Sequence, residues 1–323
     1  AYNYFFLGYS SGSINGMLFD TFTYMFVAVC CLSLESLMDS NHISLDIWKI
    51  LRIVYVSSSV ALLLFFVIGR FTGSRLVMYY IFFRPFATNI HHTSMFIAPL
   101  AFLGAKIFFE TESVLQKVVI GILIFSNVVT GINTGSTKIY LSFIFGALMV
   151  LVGWIFSSRT LRPVKGIVFS FLMVICVLVS FLMLDQIVSY SMSFFAENDI
   201  GGGRALLYSD SVEKASESLF FGFGPGPHAQ ISEYQVSFSD AHQTYLTALL
   251  QGGVIGLGLY IALIVRVFFK CTKDIFVLGS FTAIFIYSLG GDIMRRLPMW
   301  LLLVLFYYYC EQKDKRILER KRT

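Results

Sequence analysis

The chain has 323 residues, of which 57% are hydrophobic, 17% aromatic and only 13% charged, with a formal net charge of +5. A soluble domain carries about 25% charged residues, so this composition excludes an ordinary soluble enzyme and, being so apolar, a disordered chain. Five cysteines in 323 residues exclude a disulfide scaffold.

A helical crossing of a bilayer needs about 20 apolar residues. In chain order, residues 1–16 lack an initiator Met, open on aromatics and read as the end of a preceding segment, so a truncated N-terminus is expected. Nine apolar stretches follow, at 17–35, 53–69, 91–109, 117–133, 138–157, 164–186, 242–266, 275–290 and 297–310. Each is expected to be a helix, because lipid offers no partner for backbone N–H and C=O groups. The expected fold is an all-α, polytopic transmembrane bundle of about nine or more crossings with one large external loop carrying short helices. Its parts are N-terminal transmembrane helices (1–186), the large external loop (187–241), C-terminal transmembrane helices (242–310) and a basic cytoplasmic tail (311–323).

Orientation follows from Lys and Arg in the loops. The tail EQKDKRILERKRT is strongly basic, and counting crossings back from it puts 158–165, 270–274, 106–117 and the stretch near Lys49 and Arg52 on the same, cytoplasmic side. That side holds 16 of the 24 Lys and Arg, and the other side holds Arg70, Arg75, Arg84, Lys138, Arg204, Lys214, Arg295 and Arg296. Topology has no reason to choose Arg over Lys outside. A guanidinium, however, matches two phosphate oxygens at once, which an ammonium cannot do. The plainer alternative is that single external arginines snorkel or pair with acids, as Arg295 would with Asp292.

The 187–241 loop contains Gly201-Gly202-Gly203, a helical stretch, and then Phe221-Gly222-Phe223-Gly224-Pro225-Gly226-Pro227-His228. The Gly222-x-Gly224-x-Gly226 run follows no strand, so it is no dinucleotide fingerprint and reads as a flexible turn. His228 within it reads equally as a site or a structural residue. Asp240 is a natural N-cap for the seventh crossing, with His242 in its first turn. Asp20 and Asp185 lie in or beside apolar spans and are expected to face the bundle interior. His91 and His92 stand at a membrane entry and read as interfacial. Glu197 and Asp199 are an acidic pair in a solvated loop, and no metal site is expected.

These residues carry a family resemblance. His242-Gln243-Thr244-Tyr245-Leu246, followed by Gly252-Gly253-Val254-Ile255-Gly256-Leu257, resembles the H-x-x-Y/F-L…G-x-x-G-L signature of the O-antigen ligase and Wzy-type polysaccharide polymerase superfamily. Arg204 with Leu219-Phe220-Phe221-Gly222-Phe223-Gly224 is similar to its Arg–helix–PLFGxG pattern, and Thr134-Gly135-Ser136-Thr137 to its TGSR element. Arg70-Phe71-Thr72-Gly73 and Asn89-Ile90-His91-His92 resemble its R-x-x-G…P-N element. The likeness covers about residues 65–260. Thr137 stands where Arg is usual, Ser218 where Pro is usual, and no Pro precedes Asn89.

The resemblance implies a GT-C-like bundle in the bacterial cytoplasmic membrane. It implies glycosyl transfer from polyprenyl-diphosphate-linked oligosaccharide at the outer face, with a flippase and a chain-length regulator as pathway partners. Residue by residue, it nominates His242, Arg204 and Arg70 as catalytic and Tyr245 of the same motif as substrate-binding; Arg75, Arg84, Arg295 and Arg296, as external arginines, and His228 are further substrate-binding candidates. Diphosphate is already a good leaving group and needs charge stabilisation, which arginines supply without a metal. A neutral imidazole takes or orients the acceptor hydroxyl's proton. No cofactor and no nucleic acid are expected. Polymerase and ligase stay open at this point, since they differ only in acceptor. A lipid-linked oligosaccharide flippase and a non-catalytic membrane partner also stay open, although a flippase is expected to bury midplane charge and show paired halves.

Overall fold

The structure, a computed structural model, describes residues 14–39, 46–85, 90–157, 208, 210–228, 241 and 243–320. The elements are α1 (Ile14–Asp39), α2 (Ile47–Thr72), β1 (Met78–Tyr79), β2 (Phe82–Phe83), α3 (Ile90–Glu110), α4 (Val114–Ile132), α5 (Thr137–Ser157), α6 (Thr244–Cys271), α7 (Ile275–Gly290) and α8 (Leu297–Arg320). Residues 210–217 are also helical. Among the described residues, α1 to α6 are long and apolar enough to cross a membrane. The helix α7, at 16 residues, is apolar but shorter.

Several boundaries exceed the apolar stretches because polar residues continue the helices into the interface. The helix α2 starts at Ile47, where Asp46 caps it by accepting a hydrogen bond from the Trp48 N–H at 3.2 Å. The tail expected from residue 311 is helical as far as Arg320. The expected span 164–186, most of the 187–241 loop, and Asp185, Glu197, Asp199, Asp240 and Asn89 lie outside the described residues.

The chain divides into two compact units, Ala1–Met25 with Trp154–Ala262, and Phe26–Gly153 with Leu263–Thr323. In the second unit α3 is the axis. Its apolar window is 72% buried, against 11–33% for the other candidate spans, and it packs on α4, α7 and α2. Small residues permit this closeness. A Cβ on Gly104 would lie 2.4 Å from the Tyr55 hydroxyl, so the α2 tyrosine packs onto bare α3 backbone.

One end of this unit is tied by buried charge. The Lys106 ammonium, on a residue only 3% exposed, donates to Glu110 Oε1 at 2.6 Å and to Asp274 Oδ2 at 2.7 Å. Lys313 Nζ and the Tyr309 hydroxyl donate to the same Asp274 oxygen, at 2.8 and 3.3 Å. The other Asp274 oxygen caps α7, accepting from the Phe276 and Val277 N–H groups. Lys106 also lies 4.8 Å from the Trp48 ring centroid and 5.1 Å from that of Tyr309. The ends of α2, α3 and α7 and the middle of α8 therefore meet around Lys106 and Asp274.

In the first unit, α6 breaks at Gly253, whose φ of 61° and ψ of −163° are open only to glycine. The break frees the Leu250 and Gln251 carbonyls, which accept from the Phe223 and Gly224 N–H groups at 2.7 and 3.0 Å. The stranded Val254 and Ile255 N–H groups donate to the Leu219 and Phe220 carbonyls at 2.8 and 3.4 Å. The glycine-rich run, expected as a flexible turn, is thus a held turn, because four backbone bonds seat it in the broken helix. The fit is tight: a Cβ on Gly253 would lie 2.3 Å from Phe220 backbone, and one on Gly222 (φ 64°) 2.5 Å from Gln251 backbone. Asp20 faces this interior at 1% exposure. Gln251 donates to the Gly226 carbonyl at 2.9 Å and to Asp20 at 3.4 Å, and accepts from the Tyr24 hydroxyl at 2.8 Å.

Two predictions follow from these contacts. Gly253→Ala should destabilise the protein by at least about 2 kcal/mol through forbidden backbone and overlap. Gly252→Ala should be near neutral, since a Cβ there meets nothing within 4 Å. Thermal unfolding of both variants in detergent checks the contrast, and equal melting points would refute the held turn.

The second prediction concerns Asp274. Burial opposes its charge, but Lys106 and then Lys313 outweigh burial and hold the carboxyl below the ordinary carboxylate range. A depressed folded pKa stabilises at pH above the unfolded value and is lost as pH falls through the folded one. Asp274→Ala should cost about 3–5 kcal/mol at neutral pH. It should also flatten the loss of melting temperature expected of the native chain below about pH 4. An unchanged acid limb would show that Asp274 does not set it.

Candidate functional site

The end of the second unit opposite Lys106 gathers the sequence-nominated arginines. Arg70 sits in the last turn of α2, which Gly73 closes in the left-handed conformation (φ 60°), its N–H donating to the Gly69 carbonyl. The chain then forms the β1–β2 hairpin, pairing Met78 with Phe83 and Tyr79 with Phe82. Phe83 is fully buried, and its ring meets Phe66 edge-on at 5.4 Å. Arg84 follows, its N–H bonded to the Val77 carbonyl at 2.9 Å.

The hairpin is locked to the α4–α5 turn, Asn133-Thr134-Gly135-Ser136. The Phe83 N–H donates to the Asn133 carbonyl at 2.8 Å. The Phe82 ring occupies the space a side chain on Gly135 (φ 71°) would need, with a Cβ there 2.3 Å from the ring. Asn133 accepts a hydrogen bond from the Arg70 guanidinium through Oδ1 and donates to the Val129 carbonyl at 2.8 Å. Arg70 and Arg84 are in this way brought to one turn.

The next residue, Ser136, is fully buried at the centre of a polar chain. Its hydroxyl lies 2.8 Å from His91 Nδ1 and 2.7 Å from the Tyr287 hydroxyl, which Ser94 also meets. His92 Nε2 contacts the Arg296 guanidinium. Of the two histidines expected at the interface, His91 is linked into this chain and His92 to Arg296. Arg296 and Arg295 are half-buried between α7 and α8, Arg75 is exposed, and Lys138 lies along Gly290 and Gly291. This end carries Arg70, Arg75, Arg84, Lys138, Arg295 and Arg296 against Asp292 among the described residues.

The first unit holds the remaining described candidates. His228 is only 5% exposed; its Nε2 lies 2.7 Å from the Gly224 carbonyl and its ring 5.4 Å from Phe223. Its own carbonyl accepts from Lys214 at 3.0 Å. Tyr245, in the first turn of α6, meets the Tyr260 ring edge-on at 5.3 Å. Arg204 and His242 lie outside the described residues. Sequence reasoning did not single out Asn133, Tyr287, Ser94 or Gln251. Adjacency to the Thr134-Gly135-Ser136 and Gly252-Gly253 motifs was the available signal for Asn133 and Gln251, whereas Tyr287 and Ser94 sit in apolar helices with no motif to mark them.

Among the described residues, no three His, Cys, Asp or Glu side chains group to hold a metal ion. No curated protein matches the chain. Residues 120–261 match the family model described as O-antigen ligase. The matched segment includes the Asn133–Ser136 turn, the held glycine-rich loop and the break at Gly253, while Arg70, Arg75, Arg84, His91 and His92 precede it. Residues 120–261 carry an O-antigen ligase family domain, and this match supports the likeness to the O-antigen ligase and Wzy-type polymerase superfamily.

Proposed function

We propose that the chain is a multi-pass glycosyltransferase of the bacterial cytoplasmic membrane, GT-C-like, that polymerises polyprenyl-diphosphate-linked oligosaccharide repeat units. The observation that carries this reading is the O-antigen ligase family domain, together with a helix-bundle end bearing six cations against one carboxylate. An excess of arginine at one interface suits a diphosphate, which bidentate guanidinium bonds neutralise without a metal.

In the proposed reaction an acceptor hydroxyl attacks the anomeric carbon of the donor sugar. The bond from that carbon to the diphosphate oxygen breaks, and the polyprenyl diphosphate leaves as an anion. Arg70, Arg84 and Arg296 stabilise that anion, with Arg75 and Arg295 in support. Arg204 and His242 take their roles from their motif positions: Arg204 on the diphosphate, and His242 as the base that receives the hydroxyl proton. Tyr245, near the start of α6, is assigned to the sugar. The contacts of His228 favour holding the glycine-rich loop in shape over touching substrate. The ligase reading, in which a lipid core is the acceptor, is favoured by the description of the matched family. Supplying the purified chain with a lipid-linked repeat unit separates the two: a ladder of products marks a polymerase, and transfer only when lipid core is added marks a ligase.

His242→Ala should lower turnover by about 10²–10⁴-fold, the range for loss of a general base, with donor binding little changed. Arg70→Lys should also impair turnover, since an ammonium cannot reproduce the guanidinium fork. Activity should persist in chelator. A His242→Ala variant that works at the native rate would overturn the base assignment.

The proposed topology places the 187–241 loop outside and residues 158–165 and 311–323 in the cytoplasm. Single cysteines at Ser232 and Thr323 in a cysteine-free background should react with an impermeant reagent from opposite faces. Labelling from one face would overturn the orientation.

A further inference from the structure

A groove with a charged mouth in the second unit lies away from the arginine-rich end. It has a volume of about 210 Å³, with apolar walls that include Leu263 and Val267 of α6 and Leu303 and Val304 of α8. Its mouth carries two opposite charges, Arg266 of α6 and Glu35 of α1, both exposed. Each is oriented by a tyrosine of α8. Arg266 donates to the Tyr307 hydroxyl through Nη2 at 2.9 Å and Nε at 3.3 Å, and the Tyr308 hydroxyl donates to Glu35 Oε1 at 3.1 Å. Lys270 adds a second cation, its Nζ 5.4 Å from the Tyr307 ring centroid. Glu311, one turn further along α8, pairs with Lys315 at 3.3 Å.

Arg266 and Glu35 make no ion pair within 4 Å, with each other or with any other described residue. Both lie inside membrane-crossing segments, Gly16–Met38 and Thr244–Cys271. A lipid-facing charge in such a segment is costly unless something pairs with it. Two fixed, separated opposite charges above apolar walls are complementary to a zwitterion with acyl chains. We propose that this groove binds a phospholipid whose headgroup carries a primary ammonium, of the phosphatidylethanolamine class. The phosphate accepts from Arg266 and Lys270, the ammonium donates to Glu35, and an acyl chain lies along Leu263, Val267, Leu303 and Val304. A purely anionic headgroup meets the unfavourable Glu35 carboxylate, and a quaternary ammonium has no N–H to give it. The site is separate from the proposed transfer reaction and does not rest on it.

The test uses the full chain in bilayers of equal parts dioleoyl phosphatidylethanolamine, phosphatidylglycerol and phosphatidylcholine, with native mass spectrometry of the lipids it keeps on extraction. Phosphatidylethanolamine should be retained over both others by about tenfold or more, the scale of one charge-assisted hydrogen bond. Glu35→Gln should abolish that preference while leaving phosphatidylglycerol binding intact or stronger, and Arg266→Gln should lower retention of both. Unchanged melting temperatures show that the variants fold. Preferential retention of phosphatidylglycerol by the native chain, a preference that survives Glu35→Gln, or a lipid-free groove closed by a second copy of the chain would each overturn the proposal.

Discussion

A bilayer cannot hydrogen-bond a carbonyl released from a helix, so a break in a membrane helix must be repaired by protein. The break at Gly253 sets this problem in α6, and the glycine-rich loop answers it by giving two N–H groups to the freed carbonyls and taking two from the stranded turn. The repair demands that two backbones touch, which explains glycine at both 222 and 253. It also joins two motifs about thirty residues apart into one unit, the PLFGxG-like run and the Gly252-Gly253 pair. Gln251 extends the joint to Asp20 and Tyr24 of α1, so a buried carboxylate that reads as an anomaly in an apolar span has a partner at the break.

The second unit separates its charges by end. At one end Lys106 and Asp274 are buried and paired, and their charge is consumed in holding four helices together. At the other, arginines are exposed or half-buried on a frame built from neutral groups: the Asn133 turn, the hairpin and the Ser94–Tyr287–Ser136–His91 chain. This division matters physically. Buried pairs fix geometry but have little left for a ligand, whereas Arg70, held by the neutral Asn133 side chain, keeps its field for an anion.

Much of this was legible in the sequence, and the reason for each success and failure is specific. Apolar length gave α3 through α5 to within a few residues. It failed at α2 and α8, where Lys49, Arg52 and the tail are polar yet good helix formers at the interface. The glycine run reads as flexible in the sequence because its partner carbonyls belong to a helix break that apolar periodicity does not mark. The sequence shows no partner for His91 or His92, because those partners, Ser136 and Arg296, lie 45 and 204 residues away. The excess of arginine over lysine was visible from composition by side, while the neutral residues that orient it were not.

The polar chain through Ser136 also bears on how rigid the arginine-rich end is. Four hydroxyl or imidazole groups from α3, the α4–α5 turn and α7 satisfy one another in a region where an unmatched polar atom is expensive. Asn133 sits three residues before Ser136 on the same turn and holds Arg70, while the neighbouring Gly135 seats the hairpin that leads to Arg84. A displacement of Tyr287 would therefore move the turn that both arginines rely on. Electrostatic stabilisation of a leaving group is effective only when the dipoles and charges are already in place before charge develops. In the proposed reaction that preorganisation falls to uncharged side chains of the helices and of the turn between them, so residues without any motif govern residues that have one.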